Sequence, residues 1–309
     1  MNHKELKEIR DHLDTSLKLI DILLGHTKTT KSGPTAMEQP KAVPSAKPAS
    51  NTKEVSRKLP VSMDDPEWPA ALPESSIVRT DSQKWARANT ILTKFETIKG
   101  PILDFGCGEG HTTIALNDQD IKCIGYDRVL NDSWTKISSS TGVFTTDWDT
   151  VVENGPYESI LLHDVLDHLE EESIEDVMKK VTNCLVENGR AYVMVHPYSS
   201  RHGGHLYEKN NKAYLHLLLT SEEIANEYPE APANQRIVKP QGQYQKYLTQ
   251  DFTIVEKKVI PQTLEPWVVK NLVPTIRELW YSDLGRNQVE KVLQIGGIYY
   301  TLKKLSNPV

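Results

Sequence analysis

From about Ser75 the chain alternates short apolar runs with stretches of helical period, which predicts an ordered series of elements. "DSQKWARANTILTKFETI" (81–98) opens on a capping acid and sets Trp85, Ala88, Leu92 and Phe95 on one face of a helix. The pattern then reads strand 101–105, helix near 109–117, strand 122–127, strand 143–147, strand 158–164, helix 171–185 and strand 189–196. "SILLH" and "AYVMV" are nearly unbroken apolar runs, as strands are when helices cover both faces of a parallel sheet. A helix near 221–228 precedes two alternating stretches, "FTIVEKKVI" (252–260) and "GIYYTLKKL" (297–305). Between these lies a mostly helical insertion, 264–294, broken at Pro266 and Pro274. The class is α/β, with a mostly parallel sheet.

Upstream the pattern changes. Residues 4–25 place Leu6, Ile9, Leu13, Ile20 and Leu23 on a/d positions, with Ser16 in the remaining slot and Leu17 and Leu24 widening the stripe. That is a helix able to pack on its own domain, self-associate or dock on a partner. Residues 26–60 are rich in Pro, Ser, Thr, Ala and Lys and hold almost no large apolar side chain, the composition of a disordered tether. The expected organisation is an amphipathic helix over 1–27, a linker over 28–75 and a folded domain over 76–309.

Composition narrows the function classes. The 309 residues carry a net charge of −6, so nothing global points to nucleic acid or an anionic membrane. The tether's seven Lys/Arg against two Glu leave the remainder near −11. Cys107, Cys123 and Cys184 follow no metal-ligand spacing and suit a reducing, cytoplasmic compartment. No apolar run approaches the ~18 residues of a membrane span.

The chemistry begins at "ILDFGCGEGHTT" (102–113), where a strand ending near Asp104 runs into Gly106, Gly108 and Gly110 and then a helix start. Glycines let a ligand approach the backbone, and the helix start offers free N–H donors. A dinucleotide fingerprint places its third glycine one residue later, where this chain has His111, so a pyrophosphate is the less natural guest. The second strand ends in Asp127, an acceptor for a ribose diol, and the third in Asp147-Trp148, an acceptor for an exocyclic amine beside an apolar plane. The fourth ends in His163-Asp164. Together they suit an adenosine with a zwitterionic tail whose ammonium lies near Asp104 and His163.

"ILDFGCGEG", "IGYD", "TTDWD" and "ILLHDVLDHLEE", in that order, resemble class I S-adenosylmethionine-dependent methyltransferases across roughly residues 78–305. The resemblance implies a Rossmann-like, doubly wound, seven-stranded sheet with a reversed last strand, and S-adenosylmethionine as cofactor. It implies that Asp104, Gly106, Gly108 and Gly110 surround the methionine end, that Asp127 holds the ribose, that Asp147 and Trp148 frame adenine, and that His163 lines the methionine side. Arg87 is a further candidate for the cofactor carboxylate.

For the acceptor, two classes are disfavoured: no Asp/Asn-Pro-Pro-aromatic tetrapeptide follows the fourth strand, and no cysteine follows a proline. "HPYSSRHGGH" (196–205) leaves the fifth strand beside the expected methyl donor. His196, His202 and His205 are therefore candidate catalytic residues, able to take a proton from an attacking hydroxyl or amine, with Tyr198, Arg201 and Tyr207 able to grip a substrate. Transfer to an O or N atom of an unidentified acceptor is the reading; a non-catalytic cofactor-binding assembly component is its alternative. Asp164, Asp167 and His168 with a later His205 also resemble the ligand pattern of metal-dependent RNA 3′-terminal 2′-O-methyltransferases. "VLDHL" equally resembles the general family's "VLEHL", where no metal is bound, so no metal ligand is assigned.

Overall fold

The computed structural model describes residues 59–94, 98–137, 143–232 and 237–305. The helix expected over 4–25, the tether over 26–58 and Phe95 lie outside the described residues.

Seven strands form one sheet: β1 (Ile102–Phe105), β2 (Cys123–Tyr126), β3 (Phe144–Thr145), β4 (Tyr157–His163), β5 (Leu185–Val195), β6 (Phe252–Pro261) and β7 (Ile295–Lys304). Their spatial order is β3-β2-β1-β4-β5-β7-β6. β1 to β5 run parallel, and β7 is antiparallel to both its neighbours. This is the doubly wound sheet with a reversed last strand that the apolar runs and the resemblance implied. Order reverses at β1, with β2 on one side and β4 on the other, and ligands of such sheets bind outside the carboxyl ends of the strands at that point.

The apolar strands behave as expected of a sheet covered on both faces. Ile160, Leu161 and Leu162 of β4 and Ala191, Val193 and Val195 of β5 are buried. One cluster joins these strands to the helix Glu171–Cys184 through Ile174, Met178 and Val181, and to the helix Gln241–Asp251 through Tyr244, Tyr247 and Leu248. A smaller cluster on the other face packs Ile91 against Ile102, Leu116 and Tyr192. The insertion contributes helices Pro266–Asn271, Val273–Trp280 and Arg286–Leu293, which bury Val268, Ile276 and Val289 in a third cluster with Tyr214, Leu215 and Leu217.

Trp68 belongs to that third cluster and Leu59, Val61 and Met63 pack against it, which corrects the expectation of linker up to residue 75. Trp68 is 6% exposed, stacks obliquely on Trp267 and donates its indole N–H to the Ala213 carbonyl at 3.0 Å. Asn211 Oδ1 accepts the Leu72 amide (2.9 Å), its Nδ2 donates to the Leu72 carbonyl (2.7 Å), and Ala70 bridges to Lys212. These apolar residues are too widely spaced to show a period; what ties the segment down is long-range, the Ala71 amide donating to the Asn211 carbonyl and the Ala213 amide to the Pro69 carbonyl. Among the described residues no helix is long and apolar enough to cross a membrane.

Candidate functional site

β1 delivers the chain into the glycine turn. Gly106, Gly108 and Gly110 have φ of +73°, +51° and +87°, the left-handed region that side chains resist. A Cβ on Gly110 would lie 2.4 Å from the Phe144 ring and one on Gly106 would lie 2.6 Å from Val165, so the turn is squeezed from both sides. A Cβ on Gly108 would meet nothing within 4 Å, so its face is open. The turn is held rather than loose: Gly106 and Cys107 amides donate to the Tyr126 carbonyl, and the Trp134 indole donates to the Gly108 carbonyl at 2.7 Å. Trp134 in turn stacks on Phe144 at 4.9 Å. That aromatic brace escaped the sequence, where Trp134 sits in a polar stretch without period.

Asp127 stands at the end of β2 with Oδ2 accepting the Gly108 amide at 3.0 Å and Oδ1 accepting the Val129 amide at 3.3 Å. It is therefore rigidly placed beside the turn. Asp104 is buried beneath the turn and accepts the Thr113 hydroxyl at 2.7 Å; burial pushes its carboxyl up to about 6.

Asp147 and Trp148 each have structural partners of their own. Asp147 caps the helix Trp148–Glu153, accepting the Asp149 amide (3.2 Å), the Thr150 amide (3.1 Å) and the Thr150 hydroxyl (2.7 Å). Those bonds hold its carboxyl below the ordinary value. Trp148 turns inward against Phe105 and Tyr126, with the Lys180 ammonium 4.9 Å from its ring centre. A capping acid and a ligand-binding acid read alike in sequence.

A cavity of about 830 Å³ opens at the switch point. The glycine turn and Asp104 line one part, and His163, Asp164, Asp167, His168, His196, His202 and His205 another; Asp127, Asp147 and Trp148 are not among its lining residues. Lys84 and Arg87, three apart on the helix Asp81–Lys94, face it together with Arg79 and Tyr207. Arg79 and Lys84 were not singled out from sequence.

Asp164 organises the second part. Its carboxylate pairs with the Arg87 guanidinium, Oδ2 lies 3.6 Å from His163 Nε2, and Oδ1 lies 3.5 Å from His196 Nε2. Burial works to raise the Asp164 carboxyl, but His163, His196 and Arg87 together hold it well below the usual range. Asp167 is fully buried nearby, and burial with the Asp164 charge pushes it up to about 6. The His196 ring is fixed from β7, its Nδ1 being 2.6 Å from the Gly296 carbonyl.

The loop after β5 brings its histidines inward through consecutive turns, Gly203 N to Ser200 O and His205 N to His202 O. Gly204 makes this possible, since a Cβ there would lie 2.2 Å from His216 Cβ. His202 packs on His196 at 4.4 Å and His205 on His168 at 4.7 Å between ring centres. Burial lowers His202 to about 2, His205 to about 3 and His163 to about 4, so these imidazoles are neutral near pH 7. His202 and His205 therefore do not titrate near working pH, contrary to the expectation for them. Tyr198 and Arg201 are structural: Tyr198 packs on His216 and Trp280, and Arg201 pairs with Glu265 at 2.9 Å while donating to the Ala70 carbonyl. Asp164 and His205 have positive φ, +56° and +54°, which places backbone strain at the site.

Comparison with known proteins agrees with this geometry. Residues 78–237, just over half of the chain, match the family model of a methyltransferase domain. No curated protein matches. Among solved structures, a SAM-dependent methyltransferase from Archaeoglobus fulgidus is 14% identical, with 75% of this chain and 97% of that one covered and a TM-score of 0.45. The 1,6-didemethyltoxoflavin-N1-methyltransferase of Burkholderia thailandensis is also 14% identical, covering 73% and 80% at a TM-score of 0.43. Magnesium protoporphyrin IX methyltransferase of Synechocystis is 13% identical, covering 72% and 82% at a TM-score of 0.43. These likenesses are faint, and the assignment rests on the sequence match over β1 to β5 and the loop beyond. The chain belongs to the methyltransferase-domain family and is an S-adenosylmethionine-dependent methyltransferase.

Proposed function

We propose that the chain methylates an oxygen or nitrogen atom of an acceptor that enters between the glycine turn and the histidine cluster. The observation that carries this is the shared cavity, which joins an open-faced glycine turn to the side chains of His163, Asp164, His196, His202 and His205. The residues fit the cofactor. Gly108 leaves room for close approach, the buried Asp104 carboxyl suits an ammonium, and Asp127 at the β2 end is the acceptor for the ribose diol.

The cofactor supplies an electrophilic methyl on sulfonium. The protein's part is to hold the acceptor and take its proton. His196 is the imidazole built for this. With Nδ1 facing the Gly296 carbonyl, Nδ1 carries the ring proton and Nε2 keeps its lone pair. Asp164, 3.5 Å from that nitrogen, stabilises the imidazolium formed when the acceptor's proton arrives. His202 and His205, held neutral by burial, line the same wall as hydrogen-bond or ligand groups.

The test has two stages. Calorimetry with S-adenosylhomocysteine measures cofactor binding, and transfer of labelled methyl into size-fractionated lysate then measures turnover and finds the acceptor's size class. Binding and transfer support the reading. Binding without transfer into any fraction favours a cofactor-binding assembly component, and no binding sinks both.

A further inference from the structure

Asp167 is a fully buried carboxylate that forms no ion pair among the described residues. Its Oδ2 accepts the His196 amide at 3.4 Å, and its Oδ1 has no hydrogen-bond partner. We infer that the acceptor is an amine basic enough to be an ammonium ion near pH 7, bound by Asp167 Oδ1 and His205 at the histidine end of the cavity. This names the acceptor class for the methyl-transfer reading and rests on it.

The cations nearby are matched to other acids. Arg87, His163 and His196 pair with Asp164, and Lys84 pairs with Glu109 at 2.6 Å. Arg79 faces the charges of Asp164 and Glu109. Burial raises the Asp167 carboxyl, yet it remains largely ionised near pH 7. A buried carboxylate without a counter-ion is costly, and a cationic guest removes that cost.

The supply of lone pairs favours nitrogen over oxygen in the acceptor. Beside Asp167 Oδ1, His205 Nε2 and His202 Nδ1 are also buried without partners. Both rings are held neutral, so each has a lone pair to offer. A hydroxyl brings one hydrogen to this wall, whereas a primary ammonium brings three. Hydrogen-bond acceptors about 2.9 Å from one tetrahedral nitrogen lie roughly 4.7 Å apart. One ligand atom from each of Asp167, His168 and His205 lies within 4.8 Å of the others, a spread that admits this spacing. Tyr207 adds an aromatic ring to the same wall, 5.9 Å from the His205 ring and 6.3 Å from that of His202, and aromatic faces attract cations.

The chemistry balances without a further reactant. The bound ammonium gives one proton to His196 Nε2, which frees the nitrogen lone pair. That pair forms the new N–C bond as the bond from methyl to sulfur breaks and its electrons stay on sulfur. The products are a methylammonium and S-adenosylhomocysteine.

Lysate fractions that accept labelled methyl provide the test. Half of each should be treated with acetic anhydride and then hydroxylamine, which leaves amines acetylated and hydroxyls free. Transfer should vanish from the acetylated half, and mass spectrometry of the untreated product should place the label on nitrogen. Undiminished transfer after acetylation, or label found as a methyl ether or ester, overturns the amine. Asp167→Asn keeps an oxygen for the His196 amide but removes the charge. It should raise the apparent KM for the accepting fraction about 10- to 100-fold, with a smaller effect on kcat and S-adenosylhomocysteine affinity within a few-fold of the parent. His205→Asn, which the +54° φ of this position tolerates, should raise KM in the same direction and stands in if the buried Asp167 variant does not fold. Unchanged KM in the folded variants overturns the site. S-adenosylhomocysteine binding with no transfer into any untreated fraction overturns the methyl-transfer reading and the acceptor with it, a result distinct from transfer that survives acetylation.

Discussion

Asp164 Oδ1 lies 3.5 Å from His196 Nε2 while the other oxygen of the same carboxylate meets Arg87, so one acid ties the helix Asp81–Lys94 to the histidine wall. Asp164→Asn tests this pair. Asparagine tolerates the +56° φ at this position, so the fold should survive. The amide cannot stabilise a positive His196, and turnover should fall by about 10²- to 10⁴-fold with S-adenosylhomocysteine affinity within a few-fold of the parent. Turnover within threefold of the parent would remove the pair from the reaction.

Asp127→Ala addresses the strand end behind the glycine turn. It deletes a charged acceptor placed beside the open face of Gly108. The loss is worth about 1.5–3 kcal/mol, a roughly 10- to 150-fold drop in S-adenosylhomocysteine affinity by calorimetry. Unaltered affinity would sink the ribose assignment.

Asp104 gives the cofactor site a pH dependence with a fixed sign. Its folded value of about 6 lies above the ordinary 3.8, so the empty protein holds a proton there below about pH 6 and loses stability as pH rises from about 4 to about 6. A cationic amino group beside the carboxyl favours the ionised form, so binding releases that proton. Affinity for S-adenosylmethionine should therefore rise with pH up to about 6 and level off above it. Calorimetry at pH 5 and 7, in buffers of different ionisation enthalpy, reads both the affinity and the proton. Equal affinity with no proton released at pH 5 would rule this out.

What the sequence made legible follows from which signals are local. β4 and β5 are apolar because helices cover both faces, and Asp127 stands at a strand end that the preceding apolar residues define. The helix Gln241–Asp251 was missed because its buried face is made of Tyr244, Tyr247 and Leu248, two of them with polar tips: Tyr244 accepts the Lys239 amide, and Tyr247 donates to Glu171. The capping role of Asp147 was not legible because it depends on Thr150 turning toward it. The histidines were visible, but burial is a tertiary quantity. It keeps His202 and His205 neutral, while the carbonyl that fixes one His196 nitrogen comes from β7, a hundred residues away.

The domain's upstream edge supplies the last prediction. Removing residues 1–58 keeps the Trp267 ring and the Ala213 carbonyl that Trp68 meets among the described residues, so the shortened chain should fold and bind S-adenosylhomocysteine as the full chain does. A fall in the number of chains per particle, from light-scattering mass divided by each chain's own mass, would then assign self-association to the removed segment. Removing residues 1–75 takes away Trp68, which is 6% exposed, and the Ala70 and Leu72 carbonyls that receive Arg201 and Asn211. Without Ala70, the Arg201 guanidinium retains Glu265 among the described residues, and the cluster around Val268 and Tyr214 opens to water. Trp68→Ala in the full chain isolates the side chain's share, about 3–5 kcal/mol for a buried tryptophan, read from denaturant midpoints at constant slope. A Trp68→Ala loss below about 1 kcal/mol, together with a stable 76–309 fragment, would restore 59–75 to the linker.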